Sequence, residues 1–215
     1  NLFSDIPFEA INLLIELLRR ESNFLKEFFG PRRLSLLPKI FSKCHGIIKT
    51  NLKIIIHENG DPFESLKMIA QLTALEIKIM SISEFPTIWI NEVQNILLEN
   101  FKRLLRKQID SLENYPDLKT KLSSSELLHH FVVKRFSNFM KNCLLILKND
   151  FSRPFSSCDI ELKRLENAFF TWITKICGYL KDKRESIIFQ LNSLDLVMEN
   201  CQTVAGVELM TSLKY

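Results

Sequence analysis

The chain has 215 residues, a hydrophobic content of 46% and a formal charge of +4 from 29 basic and 25 acidic side chains. That length supports a real core, so weak a positive balance does not supply the dense basic face of a nucleic-acid binder, and no apolar run reaches membrane-spanning length. Five glycines and seven prolines are too few for a turn-rich, strand-based fold, and they favour long helices with few connections.

The first predicted helix covers residues 5–29. Ser4 or Asp5 caps it, Pro7 suits its first turn, and Ile11, Leu14, Leu18, Leu25 and Phe28 form its stripe. Gly30-Pro31 ends it. A second helix over 36–56 directs Leu37, Ile40, Phe41, Cys44, Ile47, Ile48, Leu52 and Ile55 inward, with Lys39, Lys43, Lys49 and Lys53 on the wet side. Asn59-Gly60 breaks it, and Asp61-Pro62-Phe63-Glu64 reads as a cap and first turn. The third helix, to about Ser83, carries two apolar rows. One runs Leu66, Ile69, Thr73, Ile77, Met80 and the other Met68, Leu72, Leu75, Ile79, Ile82. Only Glu64, Lys67, Gln71 and Lys78 remain as a polar strip, so this helix is expected to be central.

Pro86 opens a fourth helix reaching Glu113, with Trp89, Val93, Leu97, Phe101, Leu104, Leu105, Ile109 and Leu112 as its core face. Lys102, Arg103, Arg106 and Lys107 make a basic patch opposite, one turn apart in pairs. A fifth helix follows over 126–149, with Leu128, Val132, Phe136, Phe139, Cys143, Leu144 and Leu147 inward. The last pattern, Asp159 to Cys201, reads as one long rod of about 60 Å. Its apolar positions are Leu165, Phe169, Trp172, Ile173, Ile176 and Leu180, resuming at Ile187, Ile188, Leu191, Leu194, Met198 and Cys201. The expected organisation is a first helical bundle over 1–115, a second over 123–205 with the long spine helix, and an unassigned tail over 206–215. A start at Asn1 rather than Met reads as the mark of a piece of a longer protein.

Little in this pattern carries catalysis. Cys44-His45 pairs a thiol with an imidazole, but neighbours on a helix point about 100° apart. His129-His130 lacks further ligands at zinc-like spacing and reads as two surface histidines at a helix start. No phosphate-binding glycine loop and no nucleophile elbow occurs, so no catalytic residue, cofactor or metal is assigned. The five cysteines, Cys44, Cys143, Cys158, Cys177 and Cys201, read as buried free thiols in a reducing compartment. The basic patch is the one candidate surface, for an acidic partner or anionic headgroups, against the plainer reading of a solvated helix face.

Three segments together resemble a known family. They are Ile6-Pro7-Phe8-Glu9 at a helix start, Phe131-Val132-Val133-Lys134-Arg135-Phe136-Ser137-Asn138-Phe139, and Lys183 to Asp195, which runs KRESIIFQLNSLD. Their order is similar to the C-terminal half of the vacuolar protein sorting-associated protein 52 family, a subunit of the Golgi-associated retrograde protein (GARP) complex. Phe136 stands where that family favours tyrosine, and Asn138 where it favours an acidic residue. The resemblance implies an all-α protein, an elongated stack of antiparallel helical bundles of the multisubunit-tether type, without catalytic residues or cofactors. It implies a cytoplasmic protein, peripheral on trans-Golgi or endosomal membranes, that tethers vesicles in endosome-to-Golgi retrograde transport. The implied partners are the other tethering-complex subunits, SNAREs and a Rab-type GTPase, with possible peripheral contact with anionic membrane and none with nucleic acid. A related tether such as exocyst, or a helical regulator of a small GTPase, stays open as an alternative.

Overall fold

The computed structural model describes residues 9, 13, 16–17, 20–21, 23–30, 33–58, 60–79, 84–115, 127–128, 130–150 and 156–202. Every regular element among them is helical. Residues 23–29 form the end of a helix that stops at Gly30, whose φ of 52° is the left-handed geometry that glycine adopts freely. Then come α1 (Arg33–Glu58), α2 (Pro62–Ile79), α3 (Glu84–Glu113), α4 (Phe131–Asp150), α5 (Ser156–Tyr179) and α6 (Lys183–Gln202). The chain divides into two units, Asn1–Leu104 and Leu105–Tyr215, with the boundary inside α3.

In the first unit α2 is the buried element. Asp61 caps it, accepting a 2.9 Å bond at Oδ1 from the Phe63 N–H. Leu66 and Ile69 from one predicted row and Met68 and Leu72 from the other are all buried, and so is Ala70 between them. These side chains point in nearly every direction around the axis, as the central position requires. Even Glu64, expected on the polar strip, is buried, with Lys67 Nζ 3.2 Å from its Oε1. Thr73 is half-buried, and Leu75, Ile77, Ile79, Met80 and Ile82 lie outside the described side chains. Two polar bonds set α2 antiparallel to α3. Asn100 Nδ2 donates to Ser65 Oγ at 2.9 Å, and Gln94 Nε2 to Thr73 Oγ1 at 2.9 Å. Trp89, Ile90, Val93, Leu97, Phe101 and Leu104 supply the α3 side of this core.

Helix α1 turns a narrower face to the core than its sequence pattern implied. Phe41 is buried and His45 sits edge-on to Trp89 at 5.7 Å, while Lys49 Nζ reaches Glu92 Oε2 at 2.6 Å. Ile40, Cys44 and Ile47, all expected inward, are exposed. The apolar stripe of α1 is simply wider than the surface available to cover it. Phe28 is likewise exposed, whereas Leu25 is buried as expected.

In the second unit α4, α5 and α6 form an up-down-up bundle. Phe136 stacks on Phe169 with centroids 3.7 Å apart, joining α4 to α5. Ser137, fully buried, donates from Oγ to the Leu196 carbonyl at 3.1 Å, so α4 and α6 approach through a small side chain. Tyr115, just beyond α3, meets Trp172 edge-on at 5.6 Å. The expected fifth helix is interrupted. Residues 127–128 are helical, His130 is not, and α4 begins at Phe131. His130 is the reason, because its Nδ1 accepts from the Val132 N–H at 3.2 Å and its carbonyl from the Lys134 N–H at 3.1 Å. Far from lying on the surface, it is buried among Phe131, Trp172 and Phe189. His129 lies outside the described residues. Leu128 is exposed rather than inward, and Val133 takes the buried place expected of Val132.

The long rod is not a single helix. α5 stops at Tyr179, and α6 starts at Lys183 and folds back against it. Asp182 caps α6, its Oδ1 accepting from the Arg184 N–H at 2.8 Å and its carbonyl from the Ser186 N–H at 3.1 Å. Lys181 and Asp182 thus form a turn inside the stretch expected to be one continuous helix.

Candidate interaction surface

The turn at Asp182 decides how α6 faces its neighbours. Phe189, Ser193 and Val197, spaced by four, are the buried positions. Asn192 Nδ2 fastens the same helix to the Leu127 carbonyl at 3.1 Å. With those positions turned inward, residues two before and two after Phe189 must point away. Ile187 is 56% exposed, Leu191 is 60% exposed and Ile188 is exposed beside them. Leu194, Met198 and Cys201 continue the row half-buried, the Cys201 thiol pushed up by burial and by the nearby Glu166 carboxylate. All six had been expected inward. Lys183 and Arg184 lie at one end of this face and Asp195 and Glu199 toward the other, all exposed.

Such a face does no chemistry. Three exposed branched side chains on consecutive turns are an adhesive patch for another apolar surface. The sequence pattern carried a sign of the turn that produces it. Asp182 precedes Glu185 by three positions just before an apolar run, the spacing of a capping box.

The basic residues of α3 differ among themselves. Lys102 Nζ is held by Glu99 Oε1 at 2.9 Å, and Arg103 Nη2 donates to Asn100 Oδ1 at 2.7 Å. Arg106 and Lys107, in the second unit, are exposed.

Cys44 is exposed and His45 half-buried. His45 Nε2 stands 3.3 Å from Glu92 Oε2 but makes no hydrogen bond. Burial holds the His45 pKa below its ordinary value of 6.5, with Glu92 opposing and Lys49 adding to the depression. The Lys49 hydrogen bond in turn holds the Glu92 carboxyl below the usual carboxylate range. This is an electrostatic clasp between α1 and α3, with no nucleophile in it. All five cysteines are free thiols, Cys143 and Cys158 buried. Among the described residues no group of three His, Cys, Asp or Glu side chains is placed to hold a metal ion. Among the same residues no helix is long and apolar enough to cross a membrane.

The family described as Vps52, C-terminal, matches residues 5–212, nearly the whole chain. No curated protein and no solved structure matches it.

Proposed function

The chain belongs to the Vps52 C-terminal family, and from that premise we propose that it is a non-enzymatic subunit of a vesicle tethering complex of the GARP type. It acts at the trans-Golgi network in endosome-to-Golgi transport by presenting helical surfaces to other subunits of its complex. SNAREs and a Rab-type GTPase are further partners of this reading.

The observation that carries it is the outward face of α6. The segment Lys183 to Asp195 is one of the three on which the family resemblance rests, and within it Ile187, Ile188 and Leu191 are exposed. A family feature that leaves large aliphatic side chains uncovered fits a surface meant to be covered by another subunit. Arg106 and Lys107, exposed on α3, add a cationic contact for an acidic partner or anionic headgroups.

The test is affinity purification of the full-length protein from cells. Recovery of the remaining GARP subunits supports the assignment. Recovery of exocyst subunits instead overturns it while leaving the fold unchanged.

A further inference from the structure

A second outward face lies on α1, in the other unit. Ile40, Cys44, Ile47, Asn51 and Ile54 follow one another at spacings of four, three, four and three. All five are exposed, the three isoleucines by 53%, 61% and 52%. On a helix these positions span only about 80° of arc. That is the narrow seam of a two-stranded coiled coil, with isoleucines at d and Cys44 and Asn51 at a. An asparagine at a single a position is the residue that sets register in such pairs.

The charges beside the seam say what kind of helix it fits. Lys43 borders the seam at a g position, and Lys39 and Lys53, at c, lie further round the same side, all three exposed. Lys49, on the opposite side of α1, is engaged with Glu92 at 2.6 Å. None of the described side chains of α1 is acidic. The other flank is closed by the core, where Phe41 is buried and His45 meets Trp89. We propose that this seam of α1 is the docking site for an amphipathic helix of a partner protein that carries acidic residues along the flank facing Lys39, Lys43 and Lys53. A second copy of α1 is a poor occupant, because these lysines would meet no acid among the described side chains of that copy. A membrane is a poor one too. Interfacial helices bury a broad face with bulky apolar groups, whereas this strip is narrow and holds Asn51 at its centre. α1 is already folded on α3, so only the partner helix has to be ordered on docking. The inference rests on α1 alone and stands or falls separately from the tethering reading.

The test uses the 215-residue chain and two synthetic heptad peptides. Both have isoleucine at a, leucine at d and one asparagine at a, but one is flanked by glutamates and the other by lysines. Fluorescence anisotropy should show the Glu-flanked peptide binding at least about tenfold tighter than the Lys-flanked one. The triple variant Lys39→Glu, Lys43→Glu, Lys53→Glu should reverse that order. Ile47→Ser should weaken binding of the Glu-flanked peptide by about tenfold or more, with an unchanged circular dichroism spectrum and melting curve. Equal affinity for the two peptides, or no effect of Ile47→Ser, overturns the proposal. Binding to phosphatidylserine vesicles but to neither peptide makes the strip a membrane face and also overturns it. So does a dimer of the chain that Ile47→Ser abolishes in the absence of peptide binding.

Discussion

The rings of Trp172 and Phe189 lie 6.3 Å apart, centroid to centroid. Seventeen residues of uninterrupted helix would hold them roughly 25 Å apart. Their contact is therefore the direct mark of the fold-back at Leu180–Asp182. It also explains why Phe189, and not Ile187 or Leu191, is the buried anchor of α6.

That relationship orders the cost of substitutions along α6. Phe189→Ala should destabilise the protein by about 3–5 kcal/mol, the range for a buried ring replaced by a cavity. Leu191→Ala should change stability by about 0.5 kcal/mol or less, as exposed substitutions do. Urea unfolding followed by circular dichroism checks both. The reverse order would restore the face that the periodicity alone had turned inward.

Asp182→Ala should cost about 0.5–2 kcal/mol through loss of the cap on α6. Asp182→Asn should recover most of it, because an amide oxygen accepts the Arg184 N–H equally well. Were α5 and α6 one helix, alanine would favour it and the sign would be opposite. The same unfolding measurement reads that sign.

Leu72→Ala should cost about 2–5 kcal/mol, since the side chain is fully enclosed on α2. Replacing Arg106 and Lys107 with glutamate should shift stability by about 0.5 kcal/mol or less per site. If these two cations serve a partner or headgroups, the reversal weakens binding to anionic vesicles or to acidic partner subunits while the melting transition stays in place. Unchanged binding would return them to the role of a solvated helix face.

Acid should loosen the first unit in a definite sequence. Burial depresses the His45 pKa in the folded state, so the unfolded chain takes up the proton first as pH falls. The stability associated with a neutral His45 is full above the ordinary value of 6.5 and is lost as pH falls through the depressed folded value. The Glu92 contribution, held by the Lys49 hydrogen bond, persists lower and is lost below the ordinary carboxylate value of 4.5. His45→Gln should therefore flatten the decline in melting temperature from about pH 7 to about pH 5.5. An unchanged slope would place the titrating group elsewhere.

Much of the fold was legible in residue spacing, for stated reasons. The two apolar rows of α2 leave hardly any polar strip, and a helix so built has to be enclosed. The register of α3, from Trp89 through Leu105, is a single unambiguous stripe, all of it buried. Asp61 and Gly30 are standard punctuation and behave as such. Sidedness was not legible in α1 or α6. Ile40, Phe41, Cys44, Ile47 and Ile48 cover about a third of the helix circumference, and periodicity cannot say which part the neighbouring helices reach. In α6 the true anchor line passes through Ser193, a small polar residue that a search for apolar repeats skips. His130 escaped because histidine is not among the usual cap residues, although its Nδ1 fills that role here.

The central claim is that the outward face of α6 joins this chain to the other subunits of a GARP-type tether. The most direct measurement is quantitative affinity purification of the full-length protein beside its Ile187→Asp, Leu191→Asp double variant, with circular dichroism on the 215-residue chain carrying the same changes. The account predicts recovery of the remaining GARP subunits by the parent protein, a several-fold loss of at least one of them with the variant, and the same helical spectrum and melting transition for both. Undiminished recovery of every subunit by the folded variant would contradict it.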